Sequence, residues 1–484
     1  MKTHLCISVF LITQLICTTL IAQDTTYWQQ EINYSIQVTL NTEKKTLQGK
    51  ETIEYTNHSP DTLYFIWFHL WPNAYVSSKT AYAKQYGSTF VPANKGFIDR
   101  LAFTANDRSA EIVPHETHPD IIKILLPEPL LPKQTVTIHT PFFVQLPRYT
   151  SRLGYEKNDF YISQWYPKPA AYDRFGWHPM PYQDKGEFYS DFGNFTVEIT
   201  VPSDYVIAAT GALQNVTEIE AYKRLGLINT IKAAEFYKPL IDSSHKTLLF
   251  RQHNIHDFAW FASKDFIIRY LPLQMDQKHM IDVFTFSKSK SGSFWQKAGT
   301  RIAETIVEMS KRTTPYPYSV ISAVEGPFNR FSGGMEYPAI CLINSADEHV
   351  LTHEVIHNWF YGIIATNERK HPWMDEGFTE WFAMDIYNMD VPMVDSYADV
   401  IDQEADAYDD IQAYAMATYL KAARWLNLLR LEMGSDAFYK GMKQYSEKWK
   451  FRHPYPADFK EVMEAVSGKN LNFMFRYLKV SGRL

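Results

Sequence analysis

Apolar residues occupy every second position from residue 32 onward, as Ile32, Tyr34, Ile36, Val38 and Leu40, and the alternation returns at Phe195, Val197, Ile199 and Val201. Successive side chains of a strand point to opposite faces, so this spacing predicts strands with one buried face. Short runs of this kind, separated by Asn, Asp, Gly and Pro, fill much of the chain to about residue 275. They predict an antiparallel β domain of sandwich type over residues 23–275. Between Tyr166 and Gly186 the rhythm stops. Pro167, Pro169, Pro179 and Pro181 exclude regular structure there, which predicts an aromatic-rich loop that lines a cleft or covers a sheet edge.

Beyond about residue 290 the period becomes helical, with Trp295, Ala298, Ile302, Ile306 and Met309 on one face. A mostly helical second domain is expected over residues 276–484, giving an α+β chain. Ser345-Ala346-Asp347-Glu348 has the form of a capping box and predicts a helix that ends near Gly362. Further helices are expected from about Met374, from Met416 to Gly434, from Ser435, and from Pro456 to Gly468.

Composition narrows the function classes. With 45% hydrophobic and 21% charged residues the 484-residue chain has the balance of a globular protein. A formal charge of −6 without a Lys/Arg cluster argues against nucleic acid as a partner. Residues 1–22 run from Lys2 through an apolar stretch to Leu20-Ile21-Ala22, the order of a secretory signal peptide, although a retained anchor has similar length. Residues 14–16, Gln-Leu-Ile, lack the small residue that a lipid-anchored Cys17 requires. Removal of the leader takes Cys6 and Cys17 with it, so Cys341, read as a core thiol, has no disulfide partner. The expectation is an exported bacterial protein, periplasmic or extracellular, with no stable membrane insertion.

The chemistry lies on the helix predicted at 345–362, which carries His353-Glu354-Val355-Ile356-His357. Histidines at i and i+4 share a face and can converge on one metal ion. Glu354 is rotated by about 100° from His353, so it is free to hold and deprotonate a metal-bound water. One zinc ion per chain suits nitrogen and oxygen donors with a position left for water. Eighteen residues separate His357 from Glu376, in Trp373-Met374-Asp375-Glu376-Gly377-Phe378, and a chain reversal near Gly362 would return its carboxylate as the third ligand. His349 lies one turn before His353, but three collinear histidines cannot all reach one tetrahedral ion, so it is read as solvated or hydrogen-bonded. His371 is read as loop surface.

This pattern resembles that of the M1 family of zinc aminopeptidases. Gly333-Gly334-Met335-Glu336-Tyr337-Pro338, seventeen residues before His353, is similar to the family's GxMEN motif. The resemblance implies that Glu336 binds the free α-amine of a peptide and that Gly333, Gly334 and Met335 line its path. Tyr419-Leu420-Lys421-Ala422-Ala423 resembles the family's YxKGA segment, which implies that Tyr419 donates to the oxyanion, with Tyr414 as a decoy. Ser163-Gln164-Trp165-Tyr166 is similar to the family loop that approaches the amine, which adds Gln164, while Tyr166 stands where relatives carry Glu or Gln.

The resemblance implies a β domain followed by a thermolysin-like catalytic domain, and a mechanism in which Glu354 is the base and His353, His357 and Glu376 hold zinc. Partners would be peptides with a free N-terminus. Relatives that continue into an α-helical roof differ from this chain, which implies a more open cleft. Tyr337 and Ala422 depart from the family's Asn and Gly. Two other readings stay open: a zinc hydrolase of another specificity, such as an endopeptidase or epoxide hydrolase, and a non-catalytic interaction protein.

Overall fold

The computed structural model describes residues 27–85, 95–232, 234–240, 243–288, 292–327, 333–393 and 399–482. The leader expected at 1–22, with Cys6 and Cys17, lies outside the described residues. The alternating segment at 32–40 forms a strand, Glu31–Asn41, with Ile32, Tyr34, Ile36, Val38 and Leu40 all buried. It is central in a nine-stranded sheet, pairing on one side with Thr46–Thr56 in antiparallel register. On the other side it pairs with Gly193–Pro202, Tyr34 opposite Phe195, and that pairing is parallel. The sheet is therefore mixed, not purely antiparallel. Alternation sets which face is buried and carries no information on strand direction.

Two four-stranded sheets share a hydrophobic core with the large one, and the proline-rich segment is partly regular. Lys168–Pro169 adds to the edge of Leu63–His69, and Tyr172–Asp173 pairs with Gly176–Trp177 as a short hairpin. Pro169 is compatible with the first because that strand is a two-residue edge, and the hairpin lies between the prolines. A helix, Val216–Ile231, was not foreseen; its buried residues include Glu218, Ala221, Tyr222 and Asn229, too polar a set to form an apolar stripe.

The second half also contains a sheet that helical periodicity did not announce. Ile267–Gln274, Met280–Ser287, Val320–Glu325, Ile340–Ile343 and Gly334–Tyr337 form five strands, two of whose pairings are parallel. Val320 to Val324 are buried without a break, so the run shows no alternation to read. The helix Phe294–Arg312 lays Trp295, Ala298, Ile302, Ile306 and Met309 inward as expected. The predicted helices at the end of the chain form over Ser435–Trp449 and Pro456–Ser467, the latter closed by Gly468 in the left-handed conformation.

The β-rich and helical halves are joined by buried polar contacts. Tyr455 Oη donates to Asp173 over 2.6 Å, the His256 ring meets the Tyr361 carbonyl at 2.8 Å, and Lys185 Nζ donates to the Tyr408 carbonyl at 2.6 Å. Among the described residues no helix is long and apolar enough to cross a membrane.

Candidate functional site

The histidine helix runs from Glu348 to His357, and its cap is Asp347 rather than Ser345. The Asp347 carboxylate accepts from the amides of His349 at 2.7 Å and Val350 at 3.2 Å, which also sets an anion at the positive end of the helix. Past His357 the helix widens into a π-turn, Asn358–Ile363, that ends at the expected reversal. A one-turn 3₁₀ segment, Pro372–Met374, then leads into the helix Glu376–Ile386, so Glu376 opens its helix facing the histidines.

His353, His357 and Glu376 meet in a buried cluster. Their Nε2 atoms lie 2.9 Å apart, and Glu376 Oε2 is 3.4 Å from His353 Nε2 and 3.2 Å from His357 Nε2. Edges of about 3.3 Å are what a tetrahedral ion with ~2.0–2.1 Å bonds requires. Glu376 Oε2 has no hydrogen-bond partner in the protein, as expected of a lone pair reserved for a cation. The other ring nitrogens are held from behind: His353 Nδ1 by Glu380 Oε2 at 2.9 Å, and His357 Nδ1 by Asp375 Oδ1 at 2.7 Å. Such partners fix the tautomer so that Nε2 presents its lone pair. The residues therefore fit a zinc-like ion.

Electrostatics agree with a cation-seeking point. Burial and the neighbouring His357 push the His353 ring down, but Glu376 and Glu380 outweigh them and lift it to about 10. Burial pushes Glu376 up, yet the two imidazoles pull it down to about 2. Burial, and then the adjacent Glu336, hold the Glu354 carboxyl well above its usual range. Glu354 thus lies beside the candidate ligands as a carboxyl whose burial favours its protonated form.

The remaining expected residues divide. Glu336 is buried, with Oε1 3.8 Å from His357 Nε2, so the strand Gly334–Tyr337 delivers it to the cluster. Gly334 is required there, since a Cβ would stand 2.5 Å from the Glu354 carboxyl carbon. Gly333 faces the Val350 side chain, and Met335 is buried with Sδ 2.9 Å from Arg152 Nε. Tyr419 lies on a π-turn, Met416–Lys421, and its hydroxyl donates to Glu376 Oε1. That closeness depends on Gly377, where a Cβ would stand 2.4 Å from that of Ala422. Tyr414 is turned aside and accepts from the Gly186 amide at 3.2 Å. Gln164 is not brought to the cluster as a free group: its Nε2 donates to Asp257, and its Oε1 accepts from Lys168 at 3.2 Å. Tyr337 donates to Ser163 at 2.8 Å, and Cys341 is a buried thiol as expected. His371 is a partial correction, being mostly buried and 2.6 Å from Asp402 Oδ1.

Four contributors escaped the sequence reading. Asp375 adjoins Glu376, and Glu380 is one turn further on the same helix face, so both were within reach of periodicity. Glu380 also takes His349 at 3.2 Å, which gives that histidine its place. Glu187 and Arg152 had no such signal. Arg152 pairs with Glu187 and, at 3.0 Å, with Asp184. Repulsion from Glu336 and Glu376 adds to burial in raising Glu187 to about 8, against the pull of Arg152.

Comparison with known proteins agrees with this geometry. Aminopeptidase M1-D of Oryza sativa subsp. japonica is 25% identical over 231 residues, 40% of this chain and 26% of that protein. Aminopeptidase N of Lactococcus lactis subsp. lactis is 24% identical over 156 residues, 28% of this chain and 18% of its own length. These matches span about a quarter or less of the curated relatives. The M1 zinc metallopeptidase of Deinococcus radiodurans superposes with a TM-score of 0.64 at 15% identity, covering 94% of each chain. Aminopeptidase A of Legionella pneumophila superposes with a TM-score of 0.65 at 14% identity, over 94% of this chain and 50% of that one. Residues 303–477, which carry the histidines, Glu336, Glu354, Glu376 and Tyr419, match the model of the Peptidase family M1 domain, and the chain is similar in fold to M1 zinc metallopeptidases.

Proposed function

We propose that the protein is a zinc aminopeptidase that removes single N-terminal residues from peptides. The observation that carries this reading is the convergence of His353, His357 and Glu376 on one buried point, with Glu354 and Glu336 beside it. Zinc held there would supply Lewis acidity toward water and the scissile carbonyl. Glu354 takes the water's proton on its carboxylate and returns it to the leaving amine, a role suited to a carboxyl whose burial favours the protonated form. Burial, and then Glu376, keep the Tyr419 phenol neutral, so it can donate to the developing oxyanion. Glu336 holds the substrate's ammonium, which a free N-terminus has and an internal amide lacks. The aminopeptidase names of the curated relatives, and a mutant of the D. radiodurans enzyme solved with a Tyr-Ser-Ala substrate, support peptides as the substrate class.

The test is a panel of aminoacyl-aminocoumarins, each offered with free and N-acetylated α-amines, with and without a zinc chelator. Chelator-sensitive cleavage confined to the free-amine set is expected. Cleavage of both sets would assign a hydrolase that does not select the amine, and silence on both would assign a non-catalytic role. The order of residues 1–22 further supports export to a bacterial periplasm or medium. N-terminal sequencing of the exported protein should begin at Gln23.

A further inference from the structure

Tyr419 is not fixed by its own backbone. It lies on the π-turn Met416–Lys421 and is only partly buried, so its ring takes its place from its neighbours. On one side the His353 ring lies parallel to it, with centroids 5.6 Å apart. On another the Tyr414 ring meets it at 73°, with centroids 6.3 Å apart.

Tyr414 is 4% exposed and belongs to a small cluster with Ala405, Tyr408 and Ala417, against which Tyr419 packs. Its hydroxyl accepts from the Gly186 amide of the β half at 3.2 Å, so the far end of the ring is tied to that half. A second bond from the same loop, Lys185 Nζ to the Tyr408 carbonyl at 2.6 Å, holds another wall of the cluster. The loop comes this close because residue 186 is glycine: its φ is +71°, and a Cβ would stand 2.8 Å from that of Ala405 and 3.0 Å from the Glu368 carbonyl oxygen. This junction is separate from the bond between Tyr455 and Asp173.

We propose that Tyr414 is a positioning residue for Tyr419, a strut through which the loop at Lys185 and Gly186 of the β half sets the oxyanion donor. The proposal rests on the reading of Tyr419 as that donor. A donor stabilises a developing charge only from the right distance and direction, and a small misplacement is costly in rate. Tyr414 does this without touching the substrate: the Gly186 amide fixes its hydroxyl, its ring backs the Tyr419 ring, and the Tyr419 phenol is left to face the reacting carbonyl.

The test compares zinc-loaded wild type with Tyr414→Phe, Lys185→Met, Tyr419→Phe and the double variant Tyr414→Phe/Tyr419→Phe on alanyl-aminocoumarin. Tyr414→Phe keeps the ring and removes the acceptor; kcat is expected to fall about fivefold, with KM and zinc content little changed. Lys185→Met should lower kcat by a smaller factor, and it decides the matter if Tyr414→Phe does not fold. The double variant separates positioning from structure. It should be no slower than Tyr419→Phe alone, because the strut acts only through the hydroxyl that Tyr419→Phe has already removed. A wild-type kcat in folded Tyr414→Phe, a loss carried by KM, or a further fivefold loss in the double variant would overturn the proposal. If wild type cleaves no free-amine substrate the aminopeptidase reading fails, and if Tyr419→Phe keeps the wild-type kcat the oxyanion reading fails, each taking the proposal with it. If Tyr419→Phe is slow and Tyr414→Phe is not, only the strut fails.

Discussion

The metal end and the amine end of the site are built in different ways. The metal end comes from two consecutive helices: His353, His357, Asp375, Glu376 and Glu380 lie within 28 residues, and each ring nitrogen facing away from the ion position has its own carboxylate. The amine end is gathered from distant chain: Glu336 comes from a sheet strand, and Arg152 of the β-rich half, paired with Glu187, reaches Met335, the neighbour of Glu336. Local geometry sets the first, because i, i+4 spacing places side chains on one face whatever the tertiary context. The second exists only when the two halves of the molecule are docked. Damage at the metal end should therefore abolish chemistry or metal binding, and damage at the amine end should mainly alter KM.

The largest effect is expected at Glu354. Glu354→Gln should lower kcat by about a hundredfold or more while zinc, measured by elemental analysis, stays bound, since the residue does not ligate. More than a tenth of wild-type activity in that variant would remove Glu354 from the role of base. Tyr419→Phe follows, with kcat lower by about a hundredfold and KM little changed. Its hydroxyl also donates to Glu376 Oε1, so zinc affinity should be measured alongside, and a fall in affinity large enough to explain the rate would reassign Tyr419 from oxyanion donor to ligand support.

Asp375→Ala and Glu380→Ala sharpen the contrast at the level of metal binding. Each leaves one imidazole free to rotate and should weaken zinc by about 10–100-fold in competition with a fluorescent chelator. Substitution of Gln164, at the other end, should leave zinc affinity untouched because its amide serves Asp257 and Lys168.

The same contrast explains what could be read from sequence. The convergence of His353, His357 and Glu376, with Glu354 beside them, was legible because motif spacing and helix periodicity survive without tertiary information, whereas Glu336 was reached through a resemblance. Tyr419 was legible only through a resemblance, and the structure supplies the reason it arrives: Gly377 and Ala422 let the π-turn press against the Glu376 helix. The strands Val320–Glu325 and Ile340–Ile343 were hidden because Val320 to Val324 and all of Ile340–Ile343 are buried, and the helix Val216–Ile231 because its buried side includes Glu218 and Asn229. The parallel pairing of Glu31–Asn41 with Gly193–Pro202 joins segments separated by more than 150 residues, which alternation alone does not encode. Ser345 misled as a cap because Asp347, nearer the first turn, does the work with a charged oxygen.

The smallest effect tests whether the docked halves depend on their polar junction. Asp173 accepts from His178 Nε2, the Phe175 amide and Tyr189 Oη at 2.8 Å each, and from Tyr455 of the helical half at 2.6 Å. Burial alone would raise its carboxyl, but these donors, His178 foremost, outweigh burial and bring it down to about 2. A native value below the unfolded ~3.9 means that the native state holds the proton less tightly than the unfolded chain. The contribution to stability is therefore complete above about pH 4 and is lost as pH falls toward 2; its size is up to about 2 kcal/mol. Unfolding of the metal-free protein between pH 5 and 2.5, compared with Asp173→Asn, isolates it: the wild type should be more stable at pH 5, and the gap should close as pH falls. A gap that stays constant would show that Asp173 acts through its shape and hydrogen bonds and not through its charge. If it closes, the same variant at neutral pH should raise KM for free-amine substrates more than it lowers kcat, because the amine end, and not the metal end, spans the junction that Asp173 ties.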